Sequence, residues 1–126
     1  TCGSQGENTA LDRYADQIHN VNAEQVWQIV DHNADNGDFV ILDIRTAGEY
    51  QSGHLEKAVL MDFYQPDFAA KVERLDRTKT YLVYCNSGNR SGQAVTRLFG
   101  PLGFQKVYHL LGGIQGWKRQ QLPLVP

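Results

Sequence analysis

Cys85 stands where a short apolar run, residues 81–84, gives way to a polar loop, and this position makes it the strongest candidate for a nucleophile. Residues 86–92 are small or polar apart from Arg90, and residues 93–99 then show helical spacing. A strand, a tight loop and a helix in this order point backbone N–H groups and a helix N-terminus at one place. Such a positive field favours thiolate over thiol, and the thiolate is the reactive form. The pattern therefore predicts an enzyme that uses Cys85 as a nucleophile.

The loop after Cys85 is predicted to form an anion cradle, because small residues let successive N–H groups converge. The residues predicted to bind substrate are Asn86, Ser87, Gly88, Asn89, Arg90 and Ser91. Gly88 is expected to take a backbone conformation that a side chain would forbid. Arg90 either sits in or behind the cradle, where it stabilises the thiolate and an incoming oxyanion, or is a solvated surface side chain. The Ser87 and Ser91 hydroxyls could donate to the sulfur, and Ser91 could instead cap the following helix.

Asp43 and Arg45 follow a second buried run and are predicted to border the same face as Cys85, since ligand sites in parallel α/β sheets lie beyond the strands' C-terminal ends. For Asp43 we favour an ion pair that fixes neighbouring loops, whereas Arg45 could reach the pocket rim and attract an anion. His54 could serve as a general base for Cys85. A thiolate activated by the loop needs no base, so we predict a structural role for His54.

Short apolar segments alternate with helical ones along the chain, which predicts right-handed crossovers and a parallel α/β sheet. Helices are expected to start at capping boxes on Asn22 and Thr46 and at Pro66, and a last helix to cover 114–120. Gly100-Pro101 should interrupt the helix that follows the loop. The predicted strands are 39–42, 58–61, 81–84 and 106–110.

Composition limits the partners that this chain is expected to have. It has 126 residues, 41% of them hydrophobic, and a net charge of −2, so neither nucleic acid nor an anionic membrane is an expected partner. No apolar run approaches the roughly 20 residues of a membrane-spanning helix. We predict a flexible segment over 1–20 and a single, by default monomeric, domain over 21–126. No metal or other cofactor is expected, because no ligand spacing is found at the remaining histidines, His19, His32 and His109.

Cys2 leaves two localisations open. The chain lacks an initiator methionine, so it is expected to be a fragment or a processed form. A cysteine followed by Gly-Ser-Gln is similar to the start of a mature bacterial lipoprotein, which would place the protein in the periplasm or on a lipid anchor. If the cysteine instead marks an artificial chain boundary, a cytoplasmic location is expected. A disulfide between Cys2 and Cys85 is not expected, because it would block the nucleophile.

Three segments together resemble the rhodanese family of sulfurtransferases, over about residues 22–122. The N-terminal signature of that family is similar to residues 42–45 with 49–50 and 53–55. The active-site loop is similar to residues 85–91, and the C-terminal signature to residues 111–117. Each segment is moderately specific, and the three in this order are very specific.

The resemblance implies a three-layer α/β fold whose central, mostly parallel five-stranded sheet is flanked by helices. It also implies that Cys85 takes a sulfane sulfur from a donor, either a small anion such as thiosulfate or a protein persulfide. The Cys85 persulfide then passes its sulfur to an acceptor, cyanide in vitro or a thiol in the cell, with ping-pong kinetics. Asp43 and Arg45 would support this site.

Two departures from the family pattern and two rival functions follow from the same residues. Asn86 stands where the family often has arginine or lysine, which favours a neutral or protein-borne persulfide over thiosulfate. Glu56-Lys57 replaces a usual Pro-Gly and should alter only a turn.

One rival function is that of a phosphatase or arsenate reductase, but such loops place five residues between cysteine and arginine, and here residues 86–89 make four. The other rival is a non-catalytic binding module, which usually lacks the cysteine.

Overall fold

The fold is built on one five-stranded sheet, and the computed structural model describes residues 14–126 of the chain. The strands are β1 Ile18–Val21, β2 Phe39–Asp43, β3 Val59–Leu60, β4 Thr80–Tyr84 and β5 Lys106–Leu110. They pair in the order β1-β5-β4-β2-β3, and every pairing is parallel. The helices are α1 Ala23–His32, α2 Ala47–Gln51, α3 Phe68–Glu73, α4 Asn89–Ala94 with a π-helical continuation Val95–Phe99, and α5 Gly113–Arg119. The predicted α/β class and parallel sheet are confirmed.

Two capping boxes fix the starts of α1 and α2, as predicted. The Asn22 side chain accepts from the Gln25 N–H, and the Gln25 side chain accepts from the Asn22 N–H, both at 2.9 Å. Thr46 and Glu49 repeat this arrangement at the start of α2. Each box satisfies N–H groups that a helix start leaves unpaired. The second box also holds the Glu49 carboxylate just beyond the carboxyl end of β2.

Helices cover both faces of the sheet and give the three layers that the resemblance implied. Alternate residues of β4 point to opposite faces, which separates the interior into two apolar clusters. The cluster beneath α3 and α4 includes Leu42, Tyr81, Val83, Phe99, Phe104 and Val107. The cluster beneath α1 and α5 includes Val26, Ile41, Leu82, Leu110, Ile114 and Trp117. Cys85 follows β4 directly and belongs with the first cluster, so its side chain lies on the α4 face.

One strand, β1, was not predicted from the sequence. β1 pairs with β5 from Ile18↔Val107 to Val21↔Leu110, so its strand geometry comes from a partner far away in sequence rather than from a local pattern. The prediction of a flexible segment is therefore wrong for residues 18–20. Cys2 and the rest of that segment up to residue 13 lie outside the described residues.

Two predicted irregularities are found where they were expected. The helix after the loop ends at Gly100, whose N–H donates to the Val95 carbonyl at 2.9 Å in the wider π-helical pattern. Lys57 has a φ of 71°, in the left-handed region that glycine favours, and its Nζ donates to the Ala34 carbonyl at 2.9 Å. The exchange of the usual glycine for lysine therefore falls within a turn.

Candidate active site

The sulfur of Cys85 faces three groups that can donate a hydrogen bond. The Gly88 N–H donates to Sγ at 3.1 Å and the Ser91 N–H at 3.3 Å, and the Ser91 Oγ also lies 3.3 Å away. Gly88 is the N-cap of α4, so Ser91 is the third residue of the helix, where the N–H has no helical partner. The thiol therefore takes the place of a capping side chain. Gly88 has a φ of 101°, which is the glycine-favouring conformation that was predicted.

The sulfur is also covered. Cys85 and Ser91 are each 0% exposed, although the polar donors distinguish this environment from that of an inert core cysteine. A donor molecule can therefore reach Sγ only after part of the loop moves. Ser87 is exposed, and within residues 14–126 its hydroxyl is not among the groups bonded to Sγ, because the turn at Gly88 presents a backbone N–H instead. The Ser91 N–H donates to the sulfur, the Ser91 hydroxyl lies within hydrogen-bond distance of it, and Ser91 is not the N-cap of α4.

The last helix anchors the start of the loop. The Ile114 N–H donates to the Cys85 carbonyl at 2.9 Å, and the Gln115 N–H donates to the Asn86 carbonyl at 3.1 Å. Gly113 allows this close approach, because a β-carbon there would lie 2.7 Å from the Cys85 carbonyl oxygen and closer still to Asn86. Its φ of 60° also disfavours a side chain. Gly113, in the third signature segment, thus allows α5 to anchor the backbone of Cys85 and Asn86.

Gly113→Ala should lower the free energy of unfolding by about 2 kcal/mol or more, because the added methyl group overlaps the loop backbone. Urea denaturation of wild-type and variant protein measures the loss. Gly116→Ala is the matched control in the same helix, since its β-carbon would have contacts no closer than 3.7 Å. Equal stability of the two variants would contradict the anchoring role.

Arg90 forms an ion pair with Glu49. Its Nη1 and Nη2 donate to the two Glu49 carboxylate oxygens at 2.9 and 3.0 Å, and its guanidinium lies 5.4 Å from the centre of the Tyr64 ring. These hydrogen bonds lower the pKa of Glu49 to about 2 and raise the pKa of Arg90. Arg90 is only 15% exposed and is not a solvated surface side chain. Its positive charge is largely neutralised by Glu49 before any substrate arrives.

Asp43 and Arg45 form a buried ion pair. The Arg45 N–H, Nε and Nη2 donate to the Asp43 carboxylate at 2.7 to 3.1 Å, and the Tyr84 hydroxyl donates to it at 2.6 Å. Burial lowers the pKa of Arg45, but the hydrogen bonds and charge of Asp43 outweigh it and leave that pKa raised. Arg45 also donates to the Gly53 carbonyl at 2.7 Å and is 3% exposed, so of the two alternatives for Arg45 the structure has the ion pair. The pair ties the ends of β2 and β4 to the turn at residue 53.

Of the two buried histidines, His54 lies away from Cys85 and His109 lies near it. His54 stacks on Tyr50 with ring centres 3.6 Å apart, and its Nδ1 is bonded to the Tyr50 carbonyl, so its side chain belongs to that turn and not to the cysteine loop. His109, which was considered only as a metal ligand, has its Nε2 2.8 Å from Ser91 Oγ. Its Nδ1 lies 2.8 Å from Asn20 Oδ1 on β1. The Ser91 hydroxyl thus connects a buried histidine to Cys85, and this connection was not predicted from the sequence.

Other features of the described chain do not compete with this site. Within residues 14–126 no three His, Cys, Asp or Glu side chains are grouped closely enough to hold a metal ion. Nor does any helix of that range have the length and apolar character needed to cross a membrane. A groove of about 630 Å³ is lined by Trp27, Phe39 and Val59 among others, and Cys85 is not part of its wall.

Comparison with known proteins finds one matching family model and several relatives. The model of the rhodanese-like domain family matches residues 23–120. A sulfurtransferase of Allochromatium vinosum is 30% identical over 108 residues, which are 86% of this chain and 95% of that protein. A tRNA uridine(34) hydroxylase of Pectobacterium carotovorum is 38% identical over 91 residues, which are 69% of this chain but only 25% of that protein. The chain thus spans nearly all of one relative and about a quarter of the other.

Solved structures share the same architecture. A rhodanese-related protein from Thermoplasma volcanium superimposes with a TM-score of 0.72 at 27% identity, over 85% of this chain and 97% of that one. A protein from Rhodopseudomonas palustris described as a possible tyrosine phosphatase gives a TM-score of 0.68 at 24% identity, over 92% of this chain and 91% of that one. The second similarity supports the fold alone.

Proposed function

The chain belongs to the rhodanese-like family, and from that premise we propose that it is a sulfurtransferase in which Cys85 carries a sulfane sulfur as a persulfide. The observation that carries the proposal is the set of donors around Sγ, two backbone N–H groups and the Ser91 hydroxyl. Groups held in place around a developing negative charge stabilise it without reorganising. Both the attacking thiolate and the persulfide anion place negative charge at this position.

The reaction proceeds in two half-reactions on one sulfur atom. The Cys85 thiolate attacks the sulfane sulfur of the donor, a new S–S bond forms, and the bond from that sulfur to the rest of the donor breaks. With thiosulfate the leaving group is sulfite. A thiolate or cyanide then attacks the outer sulfur of the persulfide, and the Cys85 thiolate leaves. In vitro the protein would thus act as a thiosulfate:cyanide sulfurtransferase.

The charges around the site favour a persulfide donor over thiosulfate. Arg90 is the only cation among residues 86–92, and Glu49 already neutralises it through two hydrogen bonds. Asn86 adds no positive charge where one is common in the family. A dianion such as thiosulfate therefore meets little net attraction, whereas a neutral or protein-borne persulfide needs none. We assign such persulfides as the preferred donors and thiols as the preferred acceptors.

Donor kinetics of an arginine variant test this assignment. Wild-type protein should have a higher kcat/KM with the persulfide of 2-mercaptoethanol, which carries no carboxylate, than with thiosulfate. Asn86→Arg should raise kcat/KM for thiosulfate about tenfold at low ionic strength, and added salt should reduce the gain. Gln105→Arg is the matched control, because it adds the same charge on an exposed residue before β5, at the other end of the sheet. Equal gains in both variants would contradict a local effect on the donor.

Mass spectrometry separates sulfur transfer from its rivals. Incubation with either donor should add one sulfur atom to Cys85, and the addition should disappear when cyanide is supplied. Absence of this adduct with every donor would favour the binding module. Hydrolysis of an aryl phosphate without any sulfur adduct would favour the phosphatase, although the four-residue spacing from Cys85 to Arg90 makes the cradle small for phosphate.

A further inference from the structure

A chain of hydrogen bonds connects Cys85 to Asn20 on β1 through the buried side chains of Ser91 and His109. Sγ lies 3.3 Å from Ser91 Oγ, which lies 2.8 Å from His109 Nε2, and His109 Nδ1 lies 2.8 Å from Asn20 Oδ1. Ser91 is 0% exposed and His109 is 4% exposed. The four side chains come from β1, the cysteine loop, α4 and β5, and only the register of the sheet brings them together.

The partners of His109 determine where its proton sits. Asn20 Oδ1 is an acceptor, so the Nδ1 of the ring carries the proton, and in the neutral ring Nε2 is left as an acceptor. The Ser91 hydroxyl then donates to Nε2, and a lone pair of its oxygen faces the sulfur. Burial lowers the pKa of His109, which the backbone of Gly88 partly opposes, so the ring is neutral in the resting protein at pH 7. A proton leaving the Cys85 thiol therefore meets an acceptor oxygen that is already bonded to a base.

We propose that His109 is a positioning residue that takes up the thiol proton of Cys85 through Ser91. The S–H bond breaks as an O–H bond forms at Ser91, and the original Ser91 O–H bond breaks as an N–H bond forms at His109 Nε2. The products are a thiolate that accepts a hydrogen bond from Ser91 and an imidazolium held by Asn20. The reverse transfer returns the proton. This rests on the proposed function only in that thiolate formation starts the sulfur-transfer cycle.

Within residues 14–126, burial and the backbone of Gly88 are what shift the pKa of His109, and no charged side chain contributes. The groups that face the ring are Asn20 on β1, Ser91 and Gly92 on α4, the backbone of Gly88 and, through Ser91, Cys85. Arg90, the neighbour of Ser91, points its guanidinium at Glu49. His19 pairs with Tyr108, not with His109, in the β1–β5 register, and its ring contacts that of Tyr108. The proton on His109 is therefore coupled to the one on Cys85, and Cys85 also interacts with the charge of Arg90.

The ultraviolet absorbance of the thiolate against pH tests the relay without any sulfur donor. Subtracting the spectrum of Cys85→Ser removes the contribution of Cys2. His109→Gln keeps a hydrogen-bond partner for Ser91 but cannot take up a proton. We expect it to move the midpoint of thiolate formation about one pH unit upwards, a roughly tenfold smaller thiolate fraction below that midpoint. Ser91→Ala should do the same, and the double variant should be no worse than either single variant.

His19→Gln is the matched control, because it changes a histidine of β1 that lies outside the relay, and its midpoint should equal that of the wild type. A wild-type midpoint in His109→Gln would reduce His109 to a structural hydrogen-bond partner and overturn the proposal. Nitrogen NMR of the unmodified protein gives a second reading, in which the resting His109 ring should be protonated at Nδ1. A ring protonated at Nε2 instead overturns the relay. If the wild type transfers sulfur but His109→Gln has the wild-type midpoint, the relay alone is refuted. If the midpoint of His109→Gln is shifted but the wild type transfers no sulfur, the proposed function alone is refuted.

Discussion

Cys85→Ser should lose sulfur transfer by about a thousandfold or more while the protein remains folded. A serine hydroxyl fits the same space and can accept from the same Gly88 and Ser91 N–H groups, so the loop keeps its shape. It is neither ionised at neutral pH nor able to hold a sulfane sulfur. Thiocyanate formation and the mass of the protein after incubation with a persulfide donor measure the loss.

Cys2→Ser is the control for this experiment, because it removes the other cysteine of the chain. Its activity should match that of the wild type. A Cys85→Ser protein that still forms thiocyanate would show that the sulfur travels by another route. In that case the donors around Sγ would have a purely structural role as a helix cap.

Asp43→Ala should lower the free energy of unfolding by about 3–5 kcal/mol, the largest effect on stability expected from this chain. The carboxylate is 0% exposed and accepts hydrogen bonds from both Arg45 and Tyr84. Removing it leaves a guanidinium, which is 3% exposed, without its counter-charge, and a buried hydroxyl without its acceptor. Urea denaturation at neutral pH measures the change.

Asp67→Ala is the matched control, since Asp67 forms an ion pair with Lys71 at 3.7 Å in which both side chains are about half exposed. Exposed pairs of this kind contribute about 0–1 kcal/mol, so the control should change stability little. Asp43→Leu combined with Arg45→Met should recover part of the loss, because no unpaired charge remains. If Asp43→Ala and Asp67→Ala cost the same, the buried pair does not hold the loops together.

What could be predicted from the sequence depends on whether a feature is local. The capping boxes at Asn22 and Thr46 span four residues each and were predicted correctly, and so was the left-handed Gly88, since a single tight turn requires it. The β1 strand was missed because Ile18–Val21 is short and has no alternating pattern, and its geometry comes from pairing with β5.

The same distinction applies to the candidate site. The placement of Ser91 beside the sulfur was anticipated because it lies on the same loop as Cys85. The partner of Arg90 was not, because Glu49 had already been assigned to its capping box, and it serves both groups at once. Asn20 and His109 are 89 positions apart, and nothing in either local segment indicates that they meet. Contacts made by sheet register are the part of an active site that a single sequence conceals.

The complete burial of Cys85 has a consequence for how such a protein could be used. An acceptor in bulk solvent would reach a sulfur atom attached to Cys85 only after part of the loop moves. The uptake of sulfur by Cys85 and its transfer to an acceptor could then take place at different times.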